Sequence, residues 1–159
     1  MRKQPMYQIP LKGKKVWRIY GVFNTLIFLA IGIGISLLTY FLKWPKFIYF
    51  IVVPLIIIIA ILYIWLFPNI RWKKWRYEVR EQEIEIQSGL FIVRRTLIPM
   101  VRVQHVDTSQ GPILKKYNLA NISISTAATV HTIPFLDSIE ADQLRSRISE
   151  LARVAEDDV

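Results

Sequence analysis

Two stretches of the chain, residues 19–42 and 47–70, contain no charged side chain, and only Lys43-Trp44-Pro45-Lys46 parts them. A helix rises ~1.5 Å per residue, so about 20 apolar residues cross a ~30 Å hydrocarbon core. Each stretch exceeds that length. The short connector makes the second helix turn straight back. The pattern therefore predicts a two-helix transmembrane hairpin over 19–70, with both chain ends on one side of the membrane. Aromatic residues sit where such spans meet headgroups: Trp17 and Tyr20, Trp44 and Phe47, and Trp65, Trp72 and Trp75. Ala30 and Gly34, like Gly32 and Ser36, lie four apart in the first span. Such small residues let another helix approach closely, and packing on the second span is favoured over an intermolecular contact. Pro54 predicts a kink in the second span.

Beyond Trp72 the pattern changes to alternation. Trp75, Tyr77 and Val79 share one strand face, with Arg76, Glu78 and Arg80 on the other. Glu83 to Gln87 alternates again, and Ser88-Gly89 signals a turn. Leu90 to Ile98 reads as a third strand, Pro99 interrupts, and Val101 to Asp107 reads as a fourth. Gly111-Pro112 opens a loop to Asn118. Asn121 to Thr126 and Val130 to Phe135 read as further strands. Asp137 and Glu140 have the spacing of a capping box. A helix to about Arg153 follows, its apolar stripe formed by Ile139, Leu144, Ile148 and Leu151. The class is thus α+β: a two-helix hairpin, then an antiparallel β roll or barrel closed by a C-terminal helix.

Charge divides along the same line. The net charge is +9, yet residues 1–70 hold eight Lys/Arg and no Asp or Glu, while all twelve acidic residues lie in 71–159 with thirteen basic ones. The excess belongs to the membrane flanks, where Lys and Arg set topology; it argues against a nucleic-acid partner, which would be met by an excess on the folded domain. Basic residues crowd residues 1–18 and 71–76. The expected order is a basic cytoplasmic segment over 1–18, a multi-pass hairpin over 19–70, a cytoplasmic domain over 71–155 and an acidic tail over 156–159. The first span is longer than a signal-peptide core and no cleavage pattern follows it, so it reads as retained.

The chemistry of catalysis is missing from the pattern. There is no cysteine. His105 and His131 stand on separate strands and lack the spacing of a metal site. Ser123, Ser125 and Thr126 have no nucleophile-elbow frame, and no Gly-rich phosphate loop occurs. The run from Glu78 to Glu85 reads as a solvated strand face. No ionisable residue interrupts either span, so a transport path is not indicated. The expectation is a non-enzyme with no cofactor and no metal.

Ile98-Pro99-Met100-Val101-Arg102-Val103-Gln104-His105-Val106-Asp107, then Gln110-Gly111-Pro112-Ile113, then Asn118-Leu119-Ala120-Asn121-Ile122, resembles the signature of the bacterial pleckstrin-homology-like (PH-like) membrane proteins. In that family a strand of the form I-P-x-x-R-I-Q precedes a Q-G-P-L turn and a G-L-A segment. Two spans ahead of one such domain is the arrangement of its YdbS-type members. Asn118 stands where the family has Gly, and Asn is the next best residue for a left-handed backbone. The resemblance implies a PH-like roll, membrane residence, and assembly with longer PH-like membrane proteins or with itself. It marks Pro99, Arg102, Gln104, Gly111, Pro112, Leu119 and Ala120 as signature residues of structural role, with Arg102 expected to bond loop carbonyls near Gly111-Pro112 and partner binding as its second reading. It implies no reaction. The first hairpin, Arg80 to Glu85, is acidic here, against transfer of a phosphoinositide pocket. Arg94-Arg95 and Lys115-Lys116 are the candidate contacts with anionic lipid or a partner. Two functions stay open: an interaction and assembly module serving envelope maintenance or resistance to membrane-active agents, and an anionic-lipid sensor.

Overall fold

The computed structural model describes residues 4–157, with side chains through residue 155. Arg2 and Lys3 of the basic segment, and Asp158 and Val159 of the acidic tail, lie outside the described residues. The chain divides into two compact units, one spanning Lys14–Ile70 and one formed by the flanks up to Gly13 and from Arg71 onward.

In the first unit, helix α1 (Leu11–Phe41) and helix α2 (Phe47–Ala60) carry the two uncharged runs. A π-helical segment, Ile61–Leu66, joins α2 to helix α3 (Phe67–Lys74). The ranges Leu11–Phe41 and Phe47–Lys74 reach mean hydropathies of 2.1 and 3.1 and are both long enough to cross a membrane. Apolar side chains are exposed all around them, Phe50 at 82 % among them, a surface suited to lipid rather than water. The π segment has a local cause. Pro68 has no amide hydrogen, and its ring would strike the Ile64 carbonyl in a regular helix. Phe67 N instead donates to the Leu62 carbonyl, five residues back, and the wider turn makes room. Pro54 lies inside α2.

The small-residue stripe of α1 is divided. A Cβ at Gly32 would meet the Ile56 side chain, and one at Gly21 would fall on the Tyr63 carbonyl, whereas Gly34 faces open space. The Tyr49 hydroxyl donates to the Ser36 carbonyl at 3.1 Å. Because the obstacle at Gly21 is backbone, Gly21→Ala is expected to destabilise the hairpin by about 1–2 kcal/mol, the usual cost of overpacking. Thermal unfolding of the purified protein in one detergent checks it; an unchanged midpoint contradicts the packing.

The second unit holds two antiparallel sheets. Strands β1 (Tyr7–Gln8), β2 (Arg76–Val79), β3 (Glu83–Ser88) and β4 (Arg94–Pro99) pair in that order. Strands β5 (Val103–Ser109), β6 (Leu119–Thr126) and β7 (Val130–Asp137) form the other sheet. A 3-10 turn, Met100–Arg102, links the sheets, and a short helix α4 (Pro112–Lys116) lies between β5 and β6. Helix α5 (Ser138–Asp157) packs on β5, the 3-10 turn, β6 and β7. Tyr77, Val79, Ile84, Ile86, Ile98 and Met100 meet Ile122, Ile124, Ile133, Leu136, Ala141 and Ile148 in the buried set. The alternation of β2 delivers this directly, with Tyr77 and Val79 buried and Arg76 and Glu78 half-buried.

Several elements differ from the sequence expectation. No local pattern predicts a strand at residues 7–8, yet Tyr7 pairs with Tyr77, and Ile9 beside it is 2 % exposed. β4 begins at Arg94 rather than Leu90, because Gly89 takes φ 145° and Lys74 Nζ binds the Leu90 and Phe91 carbonyls at 2.8 and 3.3 Å. β5 begins at Val103 because residues 100–102 turn as 3-10. Ile139 is 71 % exposed, and Ala141 takes its place in the stripe with Leu144, Ile148 and Leu151. Residue 139 lies some 200° around the helix from 141. Asp137 caps α5 by accepting from Ile139 N, but Glu140 accepts from the Tyr77 hydroxyl. Asn118 adopts φ 53°, the left-handed conformation expected of it.

Candidate functional site

The family-signature residues separate into two groups. Gly111, Pro112, Leu119 and Ala120 turn the chain from β5 into β6. Gly111 is extended ahead of α4, Pro112 occupies its first turn where a missing amide costs nothing, and Leu119 and Ala120 are buried. Gln110 Nε2 donates to the Leu119 carbonyl at 2.8 Å and ties this turn.

Pro99, Arg102 and Gln104 belong elsewhere. They line a cleft of about 460 Å³ with Leu97, Ile98, Val101, the Thr126–Thr129 turn and His131. The cleft opens where the chain leaves the first sheet at β4 and enters the second at β5. Opposite it stands the β6–β7 turn, closed by Thr126 N bonding the Thr129 carbonyl at 2.9 Å. The register of β5 on β6 slips between Val103 and His105, so Gln104 is the extra residue of a bulge and turns outward. Arg102 ends the 3-10 turn and is exposed. The bond expected from Arg102 to the carbonyls near Gly111-Pro112 is not made. Among the described residues Arg102 has no hydrogen bond or ion pair. The reason is geometric: the turn that carries it faces the cleft. Val101, 55 % exposed, adds apolar surface at the cleft, as do the exposed Ala127 and Ala128 of the facing turn.

The two basic pairs differ in their surroundings. Arg94 and Arg95 alternate across β4. Arg94 is exposed, whereas Arg95 bonds the Gln87 side chain at 3.0 Å and lies 3.8 Å from Glu85. Lys115 and Lys116 are both exposed on α4, against the other sheet. The acidic face expected to be solvated is partly buried, with Glu85 at 4 % and Gln87 at 5 % exposure. Arg80 bridges Glu78 at 3.0 Å, Glu83 at 2.9 Å and Glu85 at 3.5 Å. The Arg80 hydrogen bond holds the Glu78 carboxyl below its ordinary range. Cross-strand register stacks these groups on one face, where the arginine stems cover the carboxylates.

A second cavity, about 260 Å³, is lined by Tyr7, Tyr77, Val79, Glu140, Gln143, Leu144 and Arg147. Tyr7 stacks on Tyr77 with ring centroids 5.8 Å apart, and Tyr77 donates to Glu140 at 2.8 Å. Burial first, then the Glu140 carboxylate, pushes the Tyr77 phenol far above its ordinary value of 10.0. A raised folded-state value means that this stability is complete below pH 10 and is lost as the pH climbs through the folded value. Tyr77→Phe is expected to cost about 1 kcal/mol at neutral pH and to flatten the alkaline fall in stability. Urea unfolding at pH 8 and above pH 10 measures both; identical curves contradict the assignment.

Among the described residues no group of three His, Cys, Asp or Glu side chains could hold a metal ion. His105 is exposed and lies 3.3 Å from Asp107. His131 and the Thr126–Thr129 turn were missed by sequence reasoning as parts of a site. They are far in sequence from residues 97–104, and only the β5–β6 register, Val103 opposite Thr126, brings them together.

Comparison with known proteins gives three findings. The profile of the Bacterial PH domain family matches residues 48–152. The chain is 53 % identical over 159 residues to UPF0699 transmembrane protein YdbS of Bacillus subtilis (strain 168), covering all of both chains. It is 32 % identical over 73 residues to UPF0699 transmembrane protein YdbT of the same organism, a match covering 45 % of this chain and 15 % of that protein. No solved structure matches.

Proposed function

The chain belongs to the bacterial PH domain family, and from that premise we propose that it works as a membrane-anchored docking module without catalytic activity. It is a transmembrane protein with a PH-like domain. In this reading it crosses the membrane twice, and both termini and the PH-like domain face the cytoplasm. The basic residues on both flanks of the hairpin support that orientation. The domain then docks a second PH-like membrane protein or a second copy of itself through the cleft. The observation that carries the reading is Arg102: a charged signature residue that lines a cleft and has no side-chain partner among the described residues. Exposed arginine beside apolar rim residues is the composition of a binding hot spot. The similarity to YdbT, a longer protein than this chain, supports partners of the same family. A role in envelope maintenance or resistance to membrane-active agents follows from location.

In-cell crosslinking, affinity purification and mass spectrometry test it, with the chain truncated after the hairpin as control. A PH-like membrane partner lost on truncation is the expected result. A strictly monomeric, partnerless protein contradicts it.

The second reading is an anionic-lipid sensor, favoured by exposed Arg94, Lys115 and Lys116. It predicts salt-sensitive enrichment of anionic lipid around the reconstituted protein, reduced by Lys115→Ala with Lys116→Ala. Equal lipid composition with and without those changes removes it.

A further inference from the structure

Phe91, Ile92 and Val93 form the tip of the β3–β4 loop and are 73 %, 75 % and 43 % exposed. Three consecutive exposed apolar side chains at a loop tip form an apolar patch. The tip is nonetheless held in place. Gly89 takes φ 145°, and any side chain there would collide with the Ile92 carbonyl. Lys74 Nζ donates to the carbonyls of Leu90 and Phe91 at 2.8 and 3.3 Å.

Lys74 is also the last residue of the membrane-capable helical range Phe47–Lys74. It lies four residues beyond the uncharged run, a rise of about 6 Å along a helix. The tether therefore pins an apolar tip to the last residue of that helical range. Basic residues flank the tether and the tip in sequence: Arg71 and Lys73 on the same helix and Arg94 directly after the tip, all exposed. Positive charge around an apolar wedge suits the boundary between phosphate headgroups and acyl chains.

We propose that Phe91-Ile92-Val93 inserts into the headgroup–acyl boundary of the membrane that the helices cross, giving the PH-like domain a second membrane contact independent of the hairpin and of the docking cleft. Arg94 and Lys73 face anionic headgroups beside it. The apolar wedge supplies the insertion, and charge only assists.

The absence of cysteine makes the test direct. Single-cysteine variants Ile92→Cys, Phe50→Cys and Ser149→Cys of the full chain carry an environment-sensitive fluorophore in phosphatidylethanolamine/phosphatidylglycerol nanodiscs. Lipid-borne nitroxides are expected to quench the label at 92 at least about twofold more than at Ser149, approaching Phe50, as an insertion of about 5–10 Å requires. That quenching persists at high salt, and Phe91→Ser with Ile92→Ser abolishes it for a label at Val93. Quenching at 92 by a water-soluble agent to the level of Ser149 overturns the proposal. Protection from both quenchers overturns it in favour of a protein contact. Loss of lipid quenching in 1 M salt overturns it in favour of electrostatic adsorption.

Discussion

Ile122→Ala is expected to destabilise the PH-like unit by about 2–5 kcal/mol, enough to consume much of a small domain's stability. Ile122 is fully buried near the start of β6, paired with Thr108 of β5 on one side and Ile133 of β7 on the other. Truncation removes transfer free energy and leaves a cavity in the core beside β5 and β7. The slip between Ala120 and Ile122 already holds the pairing in place, with the Asn121 side chain accepting from Phe135 N at 3.1 Å. Phe135 sits at φ 60°, so this strand carries strain that the packing must offset. Pulse proteolysis in urea on the full-length protein, with the hairpin in detergent, reads the loss. A shift below 1 kcal/mol would mean that Ile122 is not a core residue.

Arg102→Glu is expected to weaken partner capture by at least about 30-fold, the ~2 kcal/mol that defines a hot-spot residue. Arg102 is exposed and unpaired among the described residues, so its replacement leaves no buried group orphaned and the fold keeps its stability. The loss would therefore fall on binding alone. Quantitative co-purification beside an unfolding curve separates the two effects. Capture unchanged within twofold, with an unchanged melting point, would remove the cleft from the interface.

The parts of this fold legible in the sequence are those governed by local pattern. The uncharged runs gave both long helices, the period-2 stretches gave β2, β3 and β6, and the motif from Pro99 to Ala120 gave the family. Long-range facts were not legible. Nothing local marks Tyr7-Gln8 as a strand, because its stability comes from β2, far along the chain. Glu85 reads as a solvated residue until Arg80 and Arg95 converge on it from two other positions. Ile139 fits a helical stripe only by hydrophobicity, and the small Ala141 packs better against the sheets. Half of the cleft comes from the β6–β7 turn, which the register alone sets opposite Arg102. Arg102 and Gln104 were recognisable as signature residues, but their outward direction depends on a 3-10 turn and a bulge that the sequence pattern does not announce.

Photocrosslinking from the cleft tests the docking account most directly. A photoreactive amino acid is placed at Val101 or Ala128 of the full-length protein in its own membrane, with Ser149 on α5 as the control position. Adducts with a PH-like membrane protein, or with a second copy, are expected from both cleft positions and none from Ser149, with their loss in the Arg102→Glu background. Adducts of equal yield from all three positions, or none from the cleft, would contradict it.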